Sequence, residues 1–364
     1  MKTRYPPDPI LLSIILALLG LGLVANYSSS AIFALERYGS STYFLWKQFL
    51  WIVIGIALAL FFINYDHRKL KSMVRPLLVL NIILLILVLI LGREVGGAKR
   101  WLRFLGLGFQ PSEITKLSLI IFVAYYCDKK RSKIENFSKG LLPLLLVIGF
   151  FCGMIFLQPD LGTPVLIGFT CIVISFIGGA KLKQILSLGM LLLPLISLAA
   201  WAEPYRRKRI LSFLHPWDDP QGSGYQLVQS LLALGSGGLK GVGLGQSHSK
   251  LLYLPEPHTD FIFPILAEEL GLLGSLSLLL LYGLLGWIGF RIATRTKNMF
   301  SSLLASGITL IIVLQALFNI GAVSGCIPTK GLPLPLISFG GSSLVITLMS
   351  LGILSNISRY ARKE

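Results

Sequence analysis

Charge is scarce in this chain. Only 13% of its 364 residues are Asp, Glu, Lys or Arg, about half the share of an ordinary soluble domain. Cysteine is scarce as well. Cys127, Cys152, Cys171 and Cys326 lie in or beside apolar runs without C-x-x-C spacing, so neither a disulfide framework nor a zinc site is indicated and they read as small apolar fillers. His67, His215, His248 and His258 are scattered and form no H-E-x-x-H arrangement, which removes the usual helical zinc centre. No repeat period, low-complexity tract or Ser-His-Asp signature is present. The glycine run from Gly235 to Gly245 lacks the G-K-[ST] ending and the preceding strand of a phosphate loop, so flexible backbone or close packing is its better account.

What the chain has instead is apolar length. Hydrophobic residues make up 54% of it, and a bilayer core about 30 Å thick needs roughly 20 such residues per helical span. Runs of that kind predict an all-α polytopic membrane protein with about ten transmembrane helices, near 9–28, 44–64, 76–92, 112–127, 141–157, 163–179, 184–201, 262–290, 302–325 and 337–357. Met1 to Arg4 before the first run resembles a signal peptide. The run passes into a polar loop without a small-residue cleavage site, so it reads as a retained first helix. Residues 1–364 form a single transmembrane domain, and Trp46, Trp51, Trp101, Trp201 and Trp287 stand near span ends as an aromatic belt would place them.

An even number of spans puts both termini on one side. With the termini inside, the inner segments hold nineteen Lys and Arg and the outer ones thirteen, which predicts cytoplasmic N and C termini. The formal net charge of +17 in so apolar a chain suits anionic headgroups or a phosphorylated substrate rather than nucleic acid. Most outer cations fall around Arg100 and in one long outer loop, 202–259, between the seventh and eighth spans. That loop is rich in Gly, Pro, Trp and Tyr, the profile of a structured functional segment.

Ionisable groups in or beside spans are costly, about 2.5–3.5 kcal/mol each on insertion scales, so each is a candidate for function or pairing. Glu113 and Lys116 are three residues apart and share one helix face, as a neutralised structural pair or as binding groups. Asp160, in a short outer turn, reads as a helix cap or as a site residue. Asp260 closes the long loop where an apolar helix starts, and fits a cap or a general base equally. Glu268 and Glu269 point to different faces of that helix, so at most one shares a cavity with Asp260. The run Arg206-Arg207-Lys208-Arg209 suits lipid headgroups or a pyrophosphate. The segment 327–343, with Pro328, Pro333, Pro335 and then Gly340-Gly341-Ser342-Ser343, is irregular backbone, tolerated at membrane depth only inside protein or along a wet cavity. A polar cavity near the outer face is therefore expected.

Three segments carry a family resemblance: RILSFLHPWDDPQGSGYQ from Arg209 to Gln226, GVGLGQSHSKLLYLPEPHTDFIF from Gly241 to Phe263, and PTKGLPLPLISFGGSS from Pro328 to Ser343. Gln110-Pro111-Ser112-Glu113 with Lys116 is a fourth. They resemble the SEDS family (shape, elongation, division and sporulation proteins) essentially end to end, and their wording is nearer the FtsW and sporulation branch than RodA. The resemblance implies a peptidoglycan glycosyltransferase that polymerises lipid II at the outer face of the cytoplasmic membrane. It also implies a class B penicillin-binding protein as partner, with other divisome proteins at the septum. It makes Asp260 the catalytic carboxylate, with Glu113, Lys116 and Lys330 among the important polar groups.

A mechanism consistent with both lines has Asp260 accept the proton of a sugar hydroxyl while outer cations offset charge on a leaving pyrophosphate. The expected substrate-binding set is Arg100, Glu113, Lys116, Asp160, Arg206, Arg209, Lys250, His258, Lys330 and Ser342. A divalent cation, Mg2+ or Mn2+, would share the task, with Asp160 and Glu113 as its candidate ligands, although no dedicated cage is visible. The alternatives are a lipid II flippase, which would keep its polar groups near the midplane, a scaffold that only recruits the transpeptidase, an O-antigen ligase and a RodA-type elongation polymerase.

Overall fold

The computed structural model describes residues 5–95, 98–104, 107–202, 204–250, 258–328 and 331–361. It is nearly all helical. In chain order the helices are α1 (Pro9–Tyr38), α2 (Tyr43–Asn64), α3 (Leu70–Leu91), α4 (Pro111–Lys129), α5 (Leu142–Phe156), α6 (Gly162–Ile177), α7 (Leu182–Ala202), α8 (Pro204–Leu214), α9 (Tyr225–Ser236), α10 (Ile262–Thr294), α11 (Met299–Val323) and α12 (Gly341–Ala361).

Each of the ten apolar runs falls on a helix. Among the described residues seven helical segments are long and apolar enough to cross a membrane by length and composition, and Gly162–Ile177 and Leu182–Leu191 are shorter apolar stretches. The ends follow local chemistry. Asp8 caps α1 by accepting from the N–H groups of Ile10 and Leu11, and Gly39 closes it in the left-handed region at φ +70°. The first helix consequently runs ten residues beyond its expected end.

The purely helical expectation needs one correction. Between α3 and α4 the chain forms a small antiparallel sheet, β1 (Arg93–Val95), β2 (Ala98–Phe104) and β3 (Leu107–Phe109), in the order β1-β2-β3. Leu102 pairs with Phe109 and Glu94 with Lys99. The glycines at 96–97 and at 106 divide this short stretch into pieces too brief for a helical period to show.

Burial separates a centre from a periphery. In α12, 94% of the most apolar stretch is buried, and in α11 72%, against 17% in α2. The centre is formed by α12, α11 and α4, with α12 also packed on α2 and α10, and α4 on α3 and α6. The outer helices turn large apolar side chains such as Leu16, Leu60, Ile90 and Leu146 outward, as a lipid-facing surface requires.

The long connection between α7 and α10 contains α8 and α9 and stitches into a break in α10. Gly271 sits at φ 68°, ψ −166°, outside the helical region. The carbonyls of Glu268 and Glu269 accept from the N–H groups of Val242 and Gly243 (3.0 and 3.1 Å), and the freed N–H groups of Leu272 and Leu273 donate to the carbonyls of Gly238 and Leu239 (2.9 and 3.2 Å). A Cβ at Gly241 would strike the Glu269 carbonyl, and one at Gly271 the Gly241 nitrogen. Close packing is therefore the work of the glycine run.

Candidate functional site

The segment after α11 is the frame of the site. Its backbone is irregular from Gly331 to Gly340, so no helical ladder satisfies its carbonyls, and side chains from three helices do so instead. On α11, Asn319 Nδ2 donates to the Leu332 carbonyl (2.7 Å) and Gln315 Nε2 to that of Pro333 (2.8 Å). Tyr282 on α10 donates its hydroxyl to Pro335 (2.5 Å), and Gln48 on α2 donates to Ser338 (3.4 Å). Of the two settings open to irregular backbone at membrane depth, burial in protein is the one observed.

This frame holds the turn that carries Asp260. The Asp260 carbonyl accepts from Asn319 Nδ2 at 2.8 Å, Ser338 Oγ donates to the Thr259 carbonyl at 2.6 Å, and the Phe339 N–H donates to the His258 carbonyl at 2.8 Å. Asp260 itself is partly buried, directly ahead of α10. Gly331 lies against its carboxylate: a Cβ there would stand 2.8 Å from Asp260 Oδ2. Lys330, next in the chain, and Thr329 lie outside the described residues.

His258 is 4% exposed and packed among aromatic rings, with centroids of Phe44 at 4.3 Å, Phe33 at 5.5 Å and Phe339 at 5.6 Å. Burial pushes its pKa down to about 4, so the ring is neutral near pH 7. The ring, expected as a binding group, is packed as a wedge beside the turn.

Glu113 and Lys116 form a buried ion pair at 2.7 Å on α4, and Lys116 Nζ also donates to Gln315 Oε1 at 2.8 Å. Ser342, at the start of α12, accepts from the Gln110 N–H at 3.3 Å and ties that helix to the entrance of α4. The ion pair connects to the Asp260 turn through Gln315 and Asn319 on α11.

The other expected residues sit elsewhere in the network. Arg100 on β2 donates to the carbonyls of Gln158 (3.1 Å) and Pro159, fastening the sheet to the turn before α6. In that turn Asp160 accepts from the Thr163 N–H (3.1 Å) and Oγ1 (2.8 Å), the geometry of a cap. Lys250 is buried against Glu269 at 3.2 Å and donates to the Gly245 carbonyl. Arg209 is half-buried on α8. Arg206 falls on the same helix, but its side chain lies outside the described residues.

Two acids and two amides carry more than their sequence signal suggested. Glu268 accepts from Ser247 Oγ (2.5 Å) and from the N–H groups of His248 (3.0 Å) and Ser249 (3.3 Å). Glu269 takes Lys250 and Ser28, the latter at 2.5 Å. Both acids thus latch the loop that leads toward Asp260, from adjacent positions on α10. Gln315 and Asn319 were legible as two amides one turn apart on an otherwise apolar span.

Among the described residues no group of three or more His, Cys, Asp or Glu is placed to hold a metal ion. The two carboxylates considered for a divalent cation do not fit as its primary ligands, since Lys116 takes Glu113 and the start of α6 takes Asp160.

The architecture and sequence have close counterparts. Residues 9–363 match the family that groups FtsW, RodA and SpoVE, described as "Cell cycle protein". Stage V sporulation protein E of Bacillus subtilis (strain 168) is 43% identical over 361 residues, covering 99% of each chain. A protein of Geobacter sulfurreducens (strain DL-1 / KN400) named probable peptidoglycan glycosyltransferase FtsW is 40% identical over 357 residues, covering 98% of this chain and 95% of the relative. A solved structure described as "Structural coordination of polymerization and crosslinking by a peptidoglycan synthase complex" aligns with a TM-score of 0.81 at 31% identity, over 98% of this chain and 99% of the other. Rod shape determining protein RodA of Thermus thermophilus aligns at 0.70 and 29% identity, over 98% of each chain. The chain belongs to the FtsW, RodA and SpoVE family.

Proposed function

We propose that this multi-pass membrane protein is a peptidoglycan glycosyltransferase that polymerises lipid II at the outer face of the cytoplasmic membrane, in division or sporulation. Its termini are cytoplasmic and its site of action is the septum. A class B penicillin-binding protein crosslinks the strands it makes, and further divisome proteins assemble with the pair. The observation that carries this reading is the Asp260 turn. A carboxylate stands at the mouth of α10, its backbone clamped by Asn319 and its side chain against Gly331, within a chain whose full-length relatives carry that activity in their names.

In the reaction, the 4-hydroxyl of an acceptor GlcNAc attacks C1 of a donor MurNAc. A sugar hydroxyl is a weak nucleophile, and Asp260 accepts its proton as the C1–O bond to undecaprenyl pyrophosphate breaks. The outer cations, Lys330 and the Arg206 to Arg209 run first among them, offset the charge growing on the departing pyrophosphate. Clamping the carbonyls of residues 258–260 fixes the base before substrate arrives. No step is assigned to a metal ion.

The test is lipid II polymerisation in liposomes by the purified protein with its cognate transpeptidase, comparing wild type with Asp260→Asn. Wild type is expected to make glycan strands and a folded, complex-forming mutant none. Strands from the mutant would remove Asp260 as the base. Transfer of lipid II across the bilayer without strands would replace the enzyme by a carrier.

A further inference from the structure

The buried pair Glu113–Lys116 takes no part in the proposed reaction steps, yet it is continuous with the Asp260 turn. Lys116 Nζ lies 2.7 Å from Glu113 Oε2 and 2.8 Å from Gln315 Oε1, and Gln315 Nε2 lies 2.8 Å from the Pro333 carbonyl. An ammonium group has only donors. Gln315 must therefore turn its oxygen toward Lys116, which leaves its NH2 facing Pro333. One turn along α11, Asn319 holds the carbonyls of Leu332 and Asp260 together.

Resting on the functional reading, we infer that Gln315 is a positioning residue for the polymerase reaction. The Glu113–Lys116 pair acts through it: the pair fixes which way the Gln315 amide faces, and the amide fixes the strand that carries Gly331 against Asp260. Glu113 anchors the lysine inside the bundle, Lys116 selects one of two amide orientations, and Gln315 passes that choice to the backbone. If the amide flips, its oxygen meets the Pro333 carbonyl, two acceptors face each other, and the 331–338 segment is released from α11. Tyr282 also clamps this segment, at Pro335. Among the described residues its hydrogen bond runs to Pro335 and none to the ion pair, so it serves as an internal control.

The test is a set of double-mutant cycles on the purified complex, reading the kcat and KM of strand formation. Gln315→Met and the neutralised pair Glu113→Gln/Lys116→Met are each expected to lower kcat about tenfold or more and to move KM for lipid II by less than about threefold. Because the groups act in series, combining them should cost no more than the worse of the two, whereas Tyr282→Phe combined with the neutralised pair should multiply. If Gln315→Met does not accumulate, Gln315→Glu takes its place. It keeps an oxygen toward Lys116, loses the donor to Pro333 and is expected to show the same loss.

Wild-type kcat in the Gln315 variants, or losses that multiply with the neutralised pair, would overturn the inference. If the wild-type complex makes no strands, the functional reading has failed and hydrogen exchange decides this one. Amides between 331 and 338 should exchange about tenfold faster in both variants with the rest of the protein unchanged, and unchanged exchange there sinks the idea.

Discussion

Gly331 lies so close to Asp260 that a Cβ on the glycine would stand 2.8 Å from the carboxylate oxygen Oδ2. The obstacle is the far end of a short side chain, so an alanine displaces the carboxylate rather than the backbone. Gly331→Ala is expected to leave the melting temperature of the purified complex within a few degrees of wild type and to lower polymerisation about 10- to 100-fold, since small misplacements of a reacting group cost that much. Equal activity would mean that the carboxylate's position is not what matters.

The neutral His258 ring makes stability depend on pH. Its pKa is about 4 in the folded protein against 6.5 unfolded, so between those values the unfolded chain binds the extra proton. Stability is then full above pH 6.5, falls as the pH drops from 6.5 to 4, and loses on the order of 3 kcal/mol across that window. His258→Phe keeps the aromatic packing and the backbone bond to Phe339, and should flatten the slope in thermal melts at pH 4.5 and 7.5. Equal slopes for both proteins would show that another group titrates there.

Lys250 and Glu269 pair at 9% and 1% side-chain exposure. Removing one partner leaves a buried charge, and Lys250→Met is expected to cost about 3–5 kcal/mol in melts of the detergent-solubilised protein. Lys250→Met/Glu269→Gln should recover much of that loss. A double variant no more stable than the single one would show that the pair is not a unit.

Gly241 combines a φ of +81° with a Cβ position occupied by the Glu269 carbonyl. Gly241→Ala should pull the glycine run out of the α10 break and reduce the yield of folded protein severely. Gly245→Ala at φ +79° meets no atom within 4 Å and should cost only about 1 kcal/mol. The comparison of the two by size-exclusion profile and melting temperature separates strain from collision.

The spans were open to reading because apolar run length is a property of consecutive residues. Every one of the ten runs coincides with a helix, from α1 to α12. Asp260 and the Glu113–Lys116 pair were visible as candidates because a charge beside or inside an apolar run is conspicuous, while the catalytic role expected of Asp260 came from the family resemblance. The sheet at 93–109 was not, since three strands of three to seven residues leave too little alternation to detect.

Partnership is the other half of the account, and it belongs to the folded molecule. Asn319 and Asp260 are 59 positions apart, Lys116 and Gln315 199, and Ser28 and Glu269 241. Nothing in composition or spacing says which of several buried acids will meet which lysine, or that His258 will be walled in by Phe33, Phe44 and Phe339. Those pairings depend on which faces of distant helices come together. The chain's local chemistry settles where it enters the bilayer, and the packing of α4, α10, α11 and α12 settles which polar groups are left to act on one another.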